Sequence, residues 1–534
     1  MFMIKRINVI GAGVIFLLST IFIVYIIDLG DNILDPGDGL KHFLISKYAW
    51  QYPNLFFDHW GKPLFTLLSS PFAQFGFKGM VFFNLLLFVI TGFLILKISK
   101  ILSLKNGWLA VLFCFSAPIY FSIVLSGLTE ILFATLVVSA LYFFLKEQYF
   151  WGCLVLSFSY FSRPESIFVI MWFVTYLVFI KKYKYIPILG ISVILYSLAG
   201  YFYYNDILWV FTKRPYSSTG TYGSGDVFHF ITSYKHTFGS VISFLFLSGS
   251  LLISINFMKK KFVNIEKDLK WILLVLIPII SVVGVHSILW WKGLQGSAGL
   301  LRILATIAPL VALIALYSLD VGQKIIMKKA SAIKVKYISG LLFFVGIILA
   351  GYTASNLFID ARMISSEEVL RDAASWYKKN NKGIKIYYMP PYFSYAAEIN
   401  PFGEDSNMEM FKKFKDKKTP SNNMKNEELV LWEGQFSKIE GKISLEMMFS
   451  DPNLLLLKTF SPKKEFMVYG EKYGVYIFKK VKNKQEFEIN TVINRIKKNK
   501  EWFSKVRGQA KDREITIDEM LIISAKYVLK NRNR

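Results

Sequence analysis

Cysteine and histidine are scarce in this 534-residue sequence, which contains two cysteines and five histidines. Cys114 and Cys153 both lie inside apolar runs, where a buried cysteine packs as a small hydrophobic residue. We therefore expect core packing rather than a disulfide or a shared metal, and no residues have the spacing of a zinc site. The sequence also lacks a P-loop and a GxGxxG turn after a strand, so that no nucleotide site is expected.

Apolar residues dominate the composition instead: 54% of the residues are hydrophobic, 17% are aromatic and 49 are phenylalanine. They cluster in nearly uncharged runs, most of them as long as the roughly 17–25 residues that a helix needs to cross a bilayer. The pattern predicts an all-α polytopic membrane protein with about eleven transmembrane helices. The runs cover residues 7–27, 80–96, 108–125, 127–145, 149–162, 164–180, 186–204, 240–257, 271–290, 299–318 and 337–357.

The net charge of +26 is distributed in a way that favours a membrane protein over a nucleic-acid-binding protein. Lysine and arginine concentrate in alternate loops, for example at residues 97–105, 181–184 and 259–261. By the positive-inside rule these loops and the N-terminus face the cytoplasm. The intervening loops, including the long loop 28–79, and the tail after residue 357 are then extracytoplasmic. The composition, rich in lysine, asparagine and isoleucine, points to a bacterial inner membrane.

The tail after residue 357 has a different composition, rich in lysine, asparagine and glutamate, and breaks into short elements. The sequence therefore predicts two domains, a membrane module over residues 1–357 and a small α/β extra-membrane domain over residues 358–534. The expected elements of the tail are a helix at Ser366–Lys379, strands at Ile384–Met389, Glu428–Trp432 and Leu454–Phe460, a hairpin at Glu465–Lys479 and two helices within 487–531.

Two aspartates in the first outer loop are the strongest candidates for chemistry. Pro36 disfavours a helical conformation for Asp35, and Gly37 permits a tight turn before Asp38, so that both carboxylates can face one pocket. One of them would then take the proton of an acceptor hydroxyl as a general base. Asp38 could equally cap the helix that follows it. His42 comes one helical turn later and could orient or bind Asp38.

Five further ionisable residues stand at outer positions. Asp58 and His59 begin the second half of the loop, where they either form an interfacial turn or add a second carboxylate and an acceptor-binding group. Arg163 and Glu165 flank Pro164 between two apolar runs, where they could pair with each other, cap the next helix or serve a function. Glu130 occupies another outer helix end and is open to the same alternatives.

A glycine-rich segment late in the membrane module favours an anion. Gly293, Gly296 and Gly299 lie between Lys292 and Arg302, and a glycine-rich turn that leads into a helix N-terminus offers free backbone amides and a favourable dipole. Arg302 stands inside a membrane segment and would suit a phosphate group. Lys292 could join it, or its side chain could extend to the lipid headgroups.

These features together resemble the membrane glycosyltransferases of the GT-C superfold. The resemblance consists of a long acidic outer loop after the first helix, the Arg163-Pro164-Glu165 turn, and the segment Gly299-Leu300-Leu301-Arg302 that enters a late helix. The group includes dolichol-phosphate-mannose-dependent mannosyltransferases and the aminoarabinose transferase of lipid A. The resemblance covers about residues 1–357, and the tail resembles the extra-membrane domain that many members append.

The resemblance implies an inverting transfer of a sugar from a polyprenyl-phosphate donor to a glycan, lipid or protein acceptor at the outer face. Asp35 or Asp38 matches the catalytic acidic residue of the first loop, and Glu130 loosely matches the acidic partner of the second. Arg302 corresponds best to the phosphate-binding cation, with Arg163 and Lys292 as further candidates. The spacing Asp-Pro-Gly-Asp replaces the two adjacent acids of several members, which leaves open which aspartate is the base. A divalent metal is possible.

Two other functions compete with this interpretation. A transporter or flippase of polyprenyl-linked glycans usually has repeated halves and charged residues deep in broken helices, whereas no halves repeat here and the ionisable groups concentrate on one face. An oligosaccharide polymerase or ligase also uses lipid-linked sugar, but its large loop usually lies late in the chain. Both alternatives are therefore less favoured than a glycosyltransferase.

Overall fold

The computed structural model describes residues 2–28, 33–213, 222–259, 265–327, 365–403 and 406–532, together with Phe344 and Ile348. The chain divides into two compact units, Met1–Met363 and Ile364–Arg534, which we call the membrane unit and the C-terminal unit. The apolar run at 337–357 lies outside the described residues, apart from Phe344 and Ile348.

Helices build the described part of the membrane unit. They are α1 (Phe2–Asp28), α2 (Asp38–Tyr48), α3 (Pro63–Ala73), α4 (Phe77–Ile101), α5 (Trp108–Ser116), α6 (Pro118–Val124), α7 (Glu130–Leu145), α8 (Tyr149–Phe158), α9 (Ser166–Phe179), α10 (Ile191–Tyr204), α11 (Trp209–Thr212), α12 (His229–Thr232), α13 (Tyr234–Thr237), α14 (Ser240–Lys259), α15 (Ile265–Trp271), α16 (Ile277–Lys292) and α17 (Ala308–Met327). Short 3-10 helices cover Pro53–Phe57, Ser159–Phe161, Tyr183–Gly190 and Leu301–Ile307, and one π-helical turn, Ile272–Leu276, joins α15 to α16.

Six stretches within the described residues are long and apolar enough to cross a membrane, and they coincide with six of the eleven predicted runs. They are Val9–Asp28, Phe77–Ile101, Tyr183–Tyr204, Ser240–Met258, Asp268–Lys292 and Leu301–Ile325. The runs around α7, α8 and α9 form shorter apolar helices. The run 108–125 divides between α5 and α6 at Pro118, whose ring nitrogen cannot donate the next helical hydrogen bond. The total number of spans therefore stays a prediction.

A mixed sheet forms the core of the C-terminal unit. Its strand order is β2-β1-β3-β7-β4, in which β1 (Ile386–Tyr388) runs parallel to β2 (Ser406–Met408) and β3 (Leu429–Glu433). β4 (Leu454–Phe460) and β7 (Val475–Lys480) complete the sheet with antiparallel pairing. β5 (Met467–Val468) and β6 (Glu471–Lys472) form a separate small hairpin. Four helices accompany the strands: α18 (Ser365–Asn380), α19 (Pro391–Ala397), α20 (Phe436–Ile439) and α21 (Leu445–Ser450).

Three helices, and not the two expected, end the described chain. They are α22 (Lys484–Lys498), α23 (Lys500–Asp512) and α24 (Ile517–Arg532). The break between α22 and α23 occurs at Asn499, whose side-chain oxygen accepts a hydrogen bond from the Trp502 amide at 3.0 Å and so caps the second helix. The three helices enclose a hydrophobic core of their own, which includes Ile496 and Leu521.

Candidate functional site

Separate segments of the membrane unit bring six charged side chains into one group, which we call the charge cluster. Its members are Asp35 in the first loop, Asp38 at the start of α2, Glu130 at the start of α7, Arg163 and Glu165 in the turn before α9, and Arg302 in the 3-10 helix Leu301–Ile307. Each residue stands at the end of an element or in a turn, where the backbone can leave the apolar core. The cluster is therefore a product of the helix termini meeting at one place.

A glycine places the first loop against the rest of the unit. A Cβ atom added at Gly39 would lie 2.1 Å from the carbonyl oxygen of Ser126, so that only glycine permits this close approach. The Gly39 amide donates a hydrogen bond of 2.8 Å to Asp35 Oδ1. Asp38 is the first residue of α2 and its side chain caps no amide, whereas the sequence left a capping role open for it. The capping-type hydrogen bond comes from Asp35 instead.

Arg302 is the centre of the cluster. Its Nη1 atom lies 2.7 Å from Asp35 Oδ2, and its Nη2 atom pairs with Asp38 Oδ2. Its Nε atom lies 3.6 Å from Glu130 Oε1. The guanidinium group therefore meets three carboxylates, each with a different nitrogen atom, which fixes its orientation.

Arg163 joins the other side of the same network. Its Nη1 atom lies 2.9 Å from Glu130 Oε1 and donates to Thr129 Oγ1 at 3.2 Å, and its Nε atom pairs with Glu165 Oε1. Glu130 is fully buried and is shared between the two arginines. Of the alternatives that the sequence left open for Arg163 and Glu165, their mutual pairing is the one observed. His286 lies beside the network: its Nε2 atom is 4.0 Å from Glu165 Oε1 and makes no hydrogen bond among the described residues.

Burial and the charge of Arg302 shift the pKa values of the two aspartates in opposite directions. Burial raises the pKa of Asp35 above its usual value, and the attraction of Arg302 only partly offsets the effect. Burial also opposes the charge of Asp38, but there the attraction of Arg302 prevails and lowers its pKa. Glu165 behaves like Asp38, because Arg163 outweighs the effect of burial and lowers the pKa of Glu165 to about 2. Two carboxylates of one loop thus differ in basicity.

His42 lies one helical turn after Asp38 but packs among aromatic rings. Its ring centroid lies 4.9 Å from that of Trp60 and 5.7 Å from that of Phe65. Its Nδ1 atom is buried and has no hydrogen-bond partner among the described residues. Burial lowers the pKa of His42 well below its usual value, which disfavours the protonated ring.

Three other predicted site residues lie apart from the ion pairs of the charge cluster. Asp58 Oδ1 accepts hydrogen bonds from the Trp60 amide at 2.6 Å and the Gly61 amide at 3.1 Å, as in the interfacial turn that was one of its two interpretations. The ring centroid of His59 lies 5.1 Å from that of Trp209. The side chain of Lys292 is exposed at the end of α16, and its Nζ atom lies 3.6 Å from the ring centre of Trp291.

Thr129 takes part in the network and His286 lies beside it, although the sequence did not single them out. Thr129 directly precedes α7 and His286 lies inside α16, both as buried polar residues within apolar surroundings, a pattern that occurs in many membrane helices without any common role. Only the tertiary contacts with Arg163 and Glu165 distinguish them.

A divalent metal does not fit the arrangement of these side chains. No group of three or more histidine, cysteine, aspartate or glutamate residues within the described chain is placed to hold a metal ion. Asp35 and Asp38 both direct an oxygen atom at Arg302, whose positive charge would repel a second cation. The site is thus built around guanidinium groups.

Solved structures share the fold, although no protein-family model and no curated protein sequence match the chain. ArnT from Cupriavidus metallidurans bound to undecaprenyl phosphate matches with a TM-score of 0.56 at 10% identity, over 87% of this chain and 98% of that chain. The same protein in the apo state matches over the same shares with a TM-score of 0.54 at 11% identity. The Archaeoglobus fulgidus oligosaccharyltransferase, tethered with an acceptor peptide, matches over 87% of this chain and 74% of that chain at 11% identity, with a TM-score of 0.49. The expected GT-C fold is confirmed, and the chain is a multi-pass membrane protein of that fold.

Proposed function

We propose that the protein is an integral-membrane glycosyltransferase that moves a sugar from a polyprenyl-phosphate donor to an acceptor at the outer face of the bacterial inner membrane. The charge cluster is the observation that carries the proposal. It joins Asp35 and Asp38 of the first loop to Arg302. In the proposal these carboxylates are the proton acceptors, and the guanidinium group is the cation for the donor phosphate. The shared fold with ArnT, a protein that binds undecaprenyl phosphate, adds support.

The chemistry of the donor suits these residues. A lipid phosphate leaves readily once its charge is neutralised, so that no strong general acid is needed. Arg302, with Arg163 behind it, supplies the positive charge, and a first-loop aspartate takes the proton of the acceptor hydroxyl as the hydroxyl oxygen attacks the anomeric carbon. If base and leaving group stand on opposite sides of that carbon, the configuration inverts.

The remaining predicted residues take supporting positions in this proposal. Glu130 lies within ion-pair distance of both arginines, and Glu165 pairs with Arg163. In the proposal these carboxylates orient the cations and do not touch the sugar. Lys292 is not included, because its ammonium group lies over Trp291 at an exposed helix end. The C-terminal unit is proposed to be extracytoplasmic, in keeping with its position after the last predicted span.

Radiolabelled sugar transfer in membranes tests the proposal. Membranes that contain the wild-type protein and native acceptors would be supplied with polyprenyl-phosphate mannose, glucose or aminoarabinose. We expect one donor to label an acceptor, and we expect Arg302→Ala to weaken binding of that donor by about ten-fold or more, since it removes the positive charge that offsets the carboxylates near the donor phosphate.

Lys292→Ala is the matched control, because it removes a cation that flanks the same glycine-rich segment but takes no part in the ion pairs of the charge cluster. Its donor affinity should equal that of the wild type. Failure of the folded wild-type protein to transfer sugar from any of the three donors would contradict the proposal and favour transport or polymer ligation.

A further inference from the structure

Each of the three guanidinium nitrogen atoms of Arg302 already faces a carboxylate in the state that the structure describes. Its Nη1, Nη2 and Nε atoms face Asp35, Asp38 and Glu130, respectively. The whole cluster contains four carboxylates and two guanidinium groups, so that negative groups are in excess. A leaving phosphate that approaches Arg302 therefore meets an excess of negative charge unless one carboxylate loses its charge.

The two aspartates differ in how firmly their oxygen atoms are held. Asp35 uses both: Oδ1 accepts from the Gly39 amide and Oδ2 pairs with Arg302. Asp38 uses only Oδ2, and its Oδ1 atom has no hydrogen-bond partner among the residues that the structure describes. The side chain of Asp38 is 38% exposed, against 19% for Asp35. Asp38 thus offers an accessible oxygen atom to a substrate, and Asp35 does not.

We propose that Asp38 is the general base and that its protonation frees Arg302 to bind the leaving phosphate, while Asp35 is a positioning residue. The inference rests on the proposed glycosyltransferase function and deepens it. It assigns separate roles to two carboxylates that the sequence alone left interchangeable.

The step balances in atoms and charge. The acceptor hydroxyl gives its proton to Asp38 Oδ1, and its oxygen forms a bond to the anomeric carbon. The bond between that carbon and the phosphate oxygen breaks, and its electron pair leaves with the lipid phosphate, which gains one negative charge. Asp38 loses one negative charge in the same step, so that the total charge around Arg302 stays constant.

The geometry lets Arg302 exchange one partner without losing its place. Neutral Asp38 attracts the guanidinium group less strongly, and Nη2 becomes available to donate to a phosphate oxygen. Nη1 remains paired with Asp35, and Nε remains beside Glu130. The new hydrogen bond therefore forms as negative charge develops on the phosphate, which stabilises the transition state more than the ground state.

The amide of Asp38→Asn imitates the protonated base, so that this variant should bind the lipid phosphate more tightly and yet transfer sugar more slowly. Full-length protein in lipid nanodiscs would be titrated with undecaprenyl phosphate, and single-turnover transfer would be measured with the donor found above. We expect the variant to bind undecaprenyl phosphate about ten-fold more tightly than the wild type, because Nη2 is released. Its transfer rate should fall by about 10²–10⁴-fold, because the base is missing.

Three other variants separate the roles. Asp35→Asn should slow transfer without abolishing it, since Asp38 remains. Asp38→Glu keeps a charged base and should retain part of the transfer rate with an affinity for undecaprenyl phosphate near that of the wild type. Asp206→Asn makes the same chemical change at an exposed turn outside the cluster, where Asp206 Oδ1 accepts from the Leu208 amide, and should change neither quantity.

Two results would overturn the inference. One is an affinity of Asp38→Asn for undecaprenyl phosphate that equals or falls below that of the wild type. The other is sugar transfer that survives in Asp38→Asn and disappears in Asp35→Asn. If Asp38→Asn does not fold, as judged by its melting temperature, Asp38→Thr supplies the same neutral comparison. A wild-type protein that neither binds undecaprenyl phosphate nor transfers sugar would instead contradict the proposed function itself.

Discussion

Two glutamates that are mostly or fully buried, one in each unit, have opposite shifts in pKa. Glu165 of the membrane unit pairs with Arg163, and its pKa falls to about 2 although burial acts in the opposite direction. Glu433 of the C-terminal unit is 1% exposed, and burial raises its pKa to about 7. Its carboxylate accepts hydrogen bonds from the backbone amides of residues 435, 436 and 437 at 2.6–2.8 Å.

The comparison shows that three backbone amides do not replace one guanidinium group. Amides stabilise a buried carboxylate, but only a nearby positive charge keeps it ionised at neutral pH. Glu433 therefore serves the fold, since it holds the start of α20. Glu165 is part of a network of carboxylates and guanidinium groups, and shifted pKa values of this kind cluster at functional sites.

Removal of the Arg163 guanidinium group should abolish the difference in pKa between Glu165 and Glu433, and it gives the largest expected effect. Arg163→Gln leaves Glu130 and Glu165 without their shared partner in a buried position, and we expect a loss of about 3–5 kcal/mol in the free energy of unfolding. Thermal unfolding of the detergent-solubilised protein measures it. Lys412→Gln is the control, because Lys412 pairs with Glu440 at 2.6 Å but is 39% exposed, and such a pair contributes about 1 kcal/mol or less. Equal losses in the two variants would contradict the comparison.

The C-terminal unit should lose stability as the pH rises. The pKa of Glu433 in the folded state, about 7, lies above the ordinary value of 4.5, so that folding favours the protonated form. The stabilisation is complete below pH 4.5 and is lost as the pH approaches and passes 7, by about 3 kcal/mol in total. Hydrogen exchange of the amides of β3 in the full-length protein, corrected for intrinsic rates, measures the change between pH 5 and pH 8.

Glu433→Gln removes the titrating group and should abolish this pH dependence, even if it lowers stability at every pH. A pH response of the wild-type strand that matches that of the variant would show that Glu433 is ionised throughout, and the contrast with Glu165 would disappear.

Displacement of the first loop tests whether the charge cluster of the membrane unit depends on the exact position of the two aspartates. Gly39→Ala introduces a Cβ atom 2.1 Å from the Ser126 carbonyl oxygen and must push Asp35 and Asp38 away from Arg302. A shift of about 1 Å in catalytic groups can reduce the rate about 100-fold, and we expect a loss of sugar transfer of that order. Gly284→Ala is the control, because a Cβ atom there meets no other atom within 4 Å. Normal transfer by Gly39→Ala would show that the close approach of Gly39 to Ser126 is not needed to position the two aspartates.

Local pattern predicted those parts of the chain where one interaction dominates. The strand Leu454–Phe460 has the bounds expected from its sequence, because a short apolar run between turn residues is a signal that acts within a few residues. The last helices were wrong in number, because the break at Asn499 depends on one capping hydrogen bond in an otherwise helical run. Lys292 and Arg302 flank the same glycine-rich segment, and nothing in their spacing indicates that Arg302 reaches the carboxylates while Lys292 packs against Trp291.

The sequence by itself determined the class of this protein: apolar runs of membrane-spanning length, charge in alternate loops, and a tail able to form a sheet. These properties follow from the transfer of side chains between water and lipid, which depends on composition over about twenty residues. Only the tertiary structure decided which charges meet. Asp35 and Arg302 are 267 positions apart, and the packing of helix ends, including the contact at Gly39, brings them within hydrogen-bonding distance.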